Sequence, residues 1–204
     1  MRILRRRMEC TIALTLCLTM GYALFSAHSQ RSLAEDLVRL RVVANSDSAY
    51  DQSVKLAVRD AVLEEIAGWE IQPDCAQEMM NELDSRRGCI AQAVRQTLDA
   101  CGSDDRFAIR LDREYYPTRT YETFSLPAGE YQGLRIFLGE GAGHNWWCVV
   151  FPPLCTAAAS DWEETAIACG MEEEDVSLMA GEAGYVLKFR SLELWESLRQ
   201  RLGL

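Results

Sequence analysis

The chain has 204 residues, enough for one domain with its own core. Hydrophobic residues at 49% and charged residues at 25% exclude a disordered chain. The formal net charge is -10, and setting aside residues 1–29 leaves 17 basic and 30 acidic groups; so acidic a body is repelled by nucleic acid and by anionic lipid headgroups.

Residues 1–29 read as an export segment. Arg2, Arg5, Arg6 and Arg7 give it a positive start, Cys10 to Ala27 carries no charge, and Ala27-His28-Ser29 places small residues where a signal peptidase cuts. The uncharged run is short for a membrane span and is diluted by Thr11, Thr15 and Thr19, which favours a cleaved signal over a permanent anchor. In either case everything after residue 29 is expected outside the cell that makes it, with membrane contact only through this segment.

Leu37 to Ala44 alternates as a central strand, with Leu40, Val42 and Ala44 on one face. Asn45-Ser46-Asp47-Ser48 ends it, and Ser48 with Asp51 forms a capping-box pattern for the helix carrying Val54, Val58, Ala61, Val62 and Ile66. Asp51, Lys55, Arg59 and Asp60 are expected on its solvated side. Trp69 to Pro73 is a break. Asp74 and Gln77 are expected to cap a second helix with Met79, Met80 and Leu83 inward; Gly88 interrupts, and Ile90, Val94 and Leu98 continue to a stop at Gly102.

Four extended segments follow. Arg106 to Leu111 alternates with Phe107, Ile109 and Leu111 inward, and Tyr115 to Arg119 makes a bend. Thr120 to Leu126 is strand-like, Pro127 to Glu130 turns, and Tyr131 to Leu138 alternates through Leu134 and Ile136. After the Gly139–Gly143 loop a last strand runs through Trp147 and Val149 to Pro152-Pro153, which cannot donate to a ladder. The order predicts an α+β fold: a mostly antiparallel sheet with helices packed on one face, after the N-terminal signal or membrane segment. The domain limits are 1–29, an α+β signalling domain at 30–155, and an acidic extension at 156–204. In that extension Tyr185 to Arg190 is strand-like, and Ser191 opens a final helix with Leu192, Trp195, Leu198 and Leu202.

Catalytic signatures are missing. There is no Gly-x-Ser-x-Gly, His-Glu-x-x-His, Walker loop or Cys-x-x-Cys, and the Gly139-x-Gly141-x-Gly143 loop precedes no helix. His144 is the only histidine after the export segment; on a strand Cys148 would lie ~13 Å from it, too far for a proton. His144, Cys148 and Cys155 lack a fourth near zinc ligand. No catalytic residue, metal or cofactor is therefore expected. Six cysteines remain after residue 29, an even number that permits disulfides outside the cell. Cys148 with Cys155 is the preferred pair, since the intervening prolines fold one back towards the other; small buried hydrophobes are the alternative.

Three blocks carry a family resemblance. Leu40-Arg41-Val42-Val43-Ala44-Asn45-Ser46-Asp47-Ser48 with Lys55-Leu56-Ala57-Val58-Arg59-Asp60-Ala61-Val62 closely resembles the opening of the stage II sporulation protein R family. So do Tyr116 to Tyr131 and the string His144-Asn145-Trp146-Trp147-Cys148-Val149-Val150-Phe151-Pro152-Pro153-Leu154-Cys155, in the same order across residues 37–155. His144 stands where the family often has Lys or another polar residue. The resemblance implies a signal rather than an enzyme, made in the forespore and secreted into the space between forespore and mother-cell membranes. Its implied partner is a membrane-embedded aspartic protease of the mother cell, which then matures the early mother-cell sigma factor. Trp146, Trp147 and Tyr116 are then the expected partner-binding anchors, with Asn45, Asp47, Arg135, Glu140 and Asn145 for polar specificity. The rival reading is a secreted thiol hydrolase acting on cell wall or peptide, which needs Cys148 or Cys155 as nucleophile.

Overall fold

A computed structural model describes residues 2–121, 123–155 and 162–180. Its elements in chain order are helix α1 (Arg2–Glu35), strand β1 (Val38–Val43), helices α2 (Ala49–Ala67), α3 (Ala76–Ser85) and α4 (Arg87–Cys101), strands β2 (Phe107–Tyr116), β3 (Arg119–Thr120), β4 (Ser125–Leu126), β5 (Gly129–Leu138) and β6 (Asn145–Phe151), and helices α5 (Trp162–Ala168) and α6 (Glu173–Ala180). The expected strand at Tyr185–Arg190 and the helix opened by Ser191 lie outside the described residues.

The fold is α+β, and its main sheet runs in the order β2-β5-β1-β6. The sheet is mixed: two of its three pairings are antiparallel, in keeping with the expectation, and one is parallel. β1 and β5 are parallel, pairing Val38 with Gln132 through Val43 with Phe137, while β2 and β6 are antiparallel edge strands. The parallel pair arises because β1 is not followed by a hairpin partner: α2 to α4 carry the chain over to edge strand β2, and after the β3–β4 hairpin it returns as β5 between β2 and β1, antiparallel to the first and parallel to the second. The ends of β1 and β5 therefore open at the same edge, where β6 begins.

Alternation divides the sheet cleanly. Val38, Leu40 and Val42, with Leu134, Ile136, Leu138, Cys148 and Val150, face α2, α3 and α4, whose Val54, Val58, Val62, Met79, Leu83, Ile90, Val94 and Leu98 complete an aliphatic core. Ser48 caps α2 by accepting from the Asp51 N–H at 3.0 Å. The expected cap of the next helix is displaced: Cys75 occupies that position without a side-chain bond, and Asp74 instead donates its backbone N–H to Glu78. Gly88 lies inside α4, the break falls at Arg86, and Gly102 ends α4 in the left-handed conformation at φ 73°.

Helices cover both faces, contrary to the one-faced arrangement expected. Leu33 and Ala34 of α1, Leu37, the β3–β4 hairpin and α5–α6 close a second core over Tyr116, Tyr131 and Val149. The β3–β4 hairpin replaces the single strand expected between Thr120 and Leu126, because the Tyr121 N–H bonds the Phe124 carbonyl at 2.8 Å and turns the chain. In this second core Arg39 is fully buried. Its guanidinium lies 4.6 Å from the Tyr116 ring centre and 5.0 Å from that of Tyr131, and it donates to the Tyr121 hydroxyl at 2.9 Å. The described part of the C-terminal extension contributes Trp162, Met171, Val176 and Met179 here. α1 runs unbroken past residue 29 into this core, and among the described residues no helix is long and apolar enough to cross a membrane.

Candidate partner-binding edge

Two loops interlock at the edge where β1 and β5 end. The β1–α2 loop offers carbonyls and side chains; the β5–β6 loop offers N–H groups. Ala142 and Gly143 donate their backbone N–H to the carbonyls of Asn45 (3.1 Å) and Ala44 (3.0 Å). Glu140 donates its N–H to the Asn45 side-chain oxygen at 2.9 Å, and His144 donates to Asp47 Oδ1 at 2.6 Å. The approach is close enough that a Cβ on Gly143 would run into the Ser46 carbonyl, so only glycine fits there. The His144 ring also contacts Asp47. The backbone bond from His144 leads the effects that hold the Asp47 carboxyl below its usual range.

Behind the loops, Asp51 accepts from Asn45 Nδ2 at 3.2 Å and from the Ser46 hydroxyl. Lys55 is buried rather than on a solvated face; it reaches the His144 carbonyl at 3.2 Å and Gln52. Burial lowers its pKa, opposed by the charge of Asp47. One ammonium thus ties the second turn of α2 to the root of β6. Beyond it, Arg59 lies 4.2 Å from the Trp146 ring centre and holds that indole at the edge, 36% exposed.

The expected partner-binding residues fall into three places. Asn45, Asp47, Glu140, Asn145 and Trp146 gather at this edge. Trp147 and Arg135 lie on the opposite face of the sheet, half-buried and buried respectively; Arg135 pairs with Glu114 at 2.9 Å and with Asp112. Asn145 links the two sides, accepting from Arg41 Nε at 2.9 Å. Tyr116 is fully buried, set edge-on to Trp147 at 5.1 Å and to Tyr131 at 5.9 Å, so it supports the site from inside rather than meeting a partner. Lys55 and Arg59 were missed as site residues. Their i,i+4 spacing read as a solvated stripe, and only the position of Lys55 beside Val54 and Val58 signalled an inward turn.

At the other end of β6, Cys148 and Cys155 are joined as a disulfide with Cα atoms 5.7 Å apart. The Val149 N–H, on the outer edge of β6, is directed at Cys155 Sγ at 3.1 Å. The Pro152-Pro153 turn thus folds over the end of the edge strand and closes it to further pairing. Among the described residues no such turn is bonded to the first half of β6, from Asn145 to Trp147. Among the described residues no group of three or more His, Cys, Asp or Glu side chains is placed to hold a metal ion.

Residues 34–161, more than half the chain, match the family model described as stage II sporulation protein R. A stage II sporulation protein R from Bacillus subtilis (strain 168) is 37% identical over 131 residues, which cover 64% of this chain and 58% of the relative. The match thus spans less than two thirds of the relative's length. No solved structure matches the chain. The family match covers the interlocked loops, β6 and the disulfide turn, and the chain belongs to the stage II sporulation protein R family.

Proposed function

We propose that this chain is an exported intercellular signal of sporulation that activates a membrane-embedded aspartic protease in the mother cell, leading to maturation of the early mother-cell sigma factor. Family membership supports the sporulation role, and the arginine-led, uncharged N-terminal run supports export. The observation that carries a protein-binding role is Trp146. A large indole stands partly exposed on a strand root fixed by Lys55, Asp47 and Asn45, and a preorganised aromatic anchor of this kind loses little entropy on docking.

The test is co-expression of the full chain with the protease and the pro-sigma factor in a non-sporulating host. Wild type is expected to drive processing, and Trp146→Ala to lower it by roughly tenfold or more, as loss of an interface anchor does. Normal processing by a folded Trp146→Ala variant removes this edge as the contact. The rival thiol hydrolase needs a free thiolate at Cys148 or Cys155, and the disulfide between them supplies none. Labelling of native protein with a thiol reagent at either position would revive that reading.

A further inference from the structure

The sheet face opposite α2–α4 changes character along its length. One half is roofed by the second core. The other half carries a row of side chains at one level across four strands: Arg110 pairs in register with Arg135, Arg135 with Arg41, and Arg41 with Trp147. Beside the row, Phe137 belongs to neither core. Its ring lies under three guanidinium groups, 5.3 Å from Arg110 and 5.7 Å from each of Arg41 and Arg135. Trp147 lies under two, Arg41 at 4.8 Å and Arg119 at 5.2 Å.

Three like charges abreast are costly unless something answers them. Glu114 answers Arg41 at 2.6 Å and Arg135 at 2.9 Å, and Asp112 answers Arg135 again. Arg110 and Arg119 are exposed, and among the described residues neither meets a carboxylate. Four guanidinium groups thus face two carboxylates on a body that is otherwise strongly acidic. A guanidinium is a planar fork of N–H donors suited to bidentate capture of carboxylates, and Arg110 and Arg119 have theirs uncommitted to any carboxylate among the described residues. Phe137 and Trp147 are both half-buried rather than freely exposed for insertion, so the face suits a peptide better than a lipid surface.

We infer that this arginine row is a docking face for an extended, carboxylate-rich segment of the partner protein, laid across the strands beside Trp147. Four strands abreast span ~14 Å, the length of about four extended residues. The segment's carboxylates would meet Arg110 and Arg119, whose charge is unanswered, while Trp146 grips from the other side of the same strand. The identity of the partner rests on the proposed signalling role; the chemistry of the face does not.

Two measurements separate them. In the first, purified full chain is titrated into a short fluorescein-labelled peptide of alternating glutamate and glycine, and anisotropy is read at low and near-physiological salt. Wild type is expected to bind despite its net negative charge, with roughly tenfold weaker binding after Arg110→Glu with Arg119→Glu and a marked loss with salt. No binding by wild type at low salt, or equal binding by the double variant, overturns the inference. In the second, the same double variant enters the co-expression assay. Processing by wild type that falls about tenfold or more in the variant supports it, and unchanged processing overturns the docking role while leaving the signalling role standing. Absence of processing with wild type strikes the signalling role instead and leaves the peptide titration to decide the face. Both arginines are exposed, so the variant is expected to melt with wild type; Arg110→Lys with Arg119→Lys keeps the charge without the planar fork and should fall between.

Discussion

The two faces of the sheet solve the same burial problem with different materials. Against α2–α4 the contacts are mostly Val, Leu and Ile from periodic positions, and the charges buried on α2, Asp51 and Lys55, sit at its loop end. On the other face a cation is enclosed, surrounded by Tyr116, Tyr131 and Tyr121 and roofed by segments from both ends of the chain. Among the described residues Arg39 Nε and Nη1 have no hydrogen-bond partner there. The first face is the source of stability. The second gives up stability to hold aromatic and charged groups in fixed places, and it is the second that continues into the open arginine row.

That contrast can be broken in four ways. Leu134→Ala, on the aliphatic face, should cost ~2–5 kcal/mol in urea unfolding, because the cavity it leaves is enclosed by the sheet and helices. A smaller loss, about 2 kcal/mol, is expected from Cys148→Ala with Cys155→Ala, which reopens a short loop and uncovers the end of β6.

The third test is pH. Asp175 is 4% exposed where α6 meets the end of α1. Burial first, then the charges of Asp36, Glu172 and Glu174, push its carboxyl up to about 6, and Asp36 is raised as well. The folded state therefore binds this proton more tightly than the unfolded chain, whose carboxyl titrates near ~3.9. Its contribution to stability is greatest below that lower value and is lost as pH rises towards 6. The wild-type melting temperature should fall by several degrees relative to Asp175→Asn between about pH 4.5 and 7, and parallel curves would show that the second face is not held by this proton. The smallest effect is expected from Arg39→Met, within about 1.5 kcal/mol of wild type or stabilising, since it removes an unneutralised buried charge and keeps the volume. A loss as large as that of Leu134→Ala would show the two faces to be equivalent in stability.

The aliphatic face was legible in the sequence and the other was not, for one reason. Helical and strand periodicity are local, so Val54-Val58-Val62 and Leu134-Ile136-Leu138 announce their faces directly. The parallel pairing of β1 with β5 is a property of the crossover between them and is invisible to alternation. The cage around Arg39 needs Tyr116, Tyr121 and Tyr131, far along the chain from it, and nothing in its own neighbourhood specifies them. The arginines at positions 39 and 41 of a central strand were the readable hint that its second face is not ordinary core. At the site, the polar run Asn45 to Ser48 and the glycines before His144 were both visible as turns. Their interlocking was not, because it depends on the two parallel strands ending side by side. The buried Lys55 ran against the usual expectation for an i,i+4 charged stripe, and tertiary contact with the His144 carbonyl decided it.

The parallel pairing also sets when the sheet can form. Val38 waits for Gln132 and Phe151, and Val43 for Phe137 and Asn145, so the central strand has no neighbour until most of the chain has been made. Loops that long close slowly, and contacts between such distant positions delay folding. The helices α2 to α4 lack their platform during that interval. A chain with this order of assembly stays threadable while its leading end is already engaged elsewhere, and it takes shape only once nearly all of it has arrived.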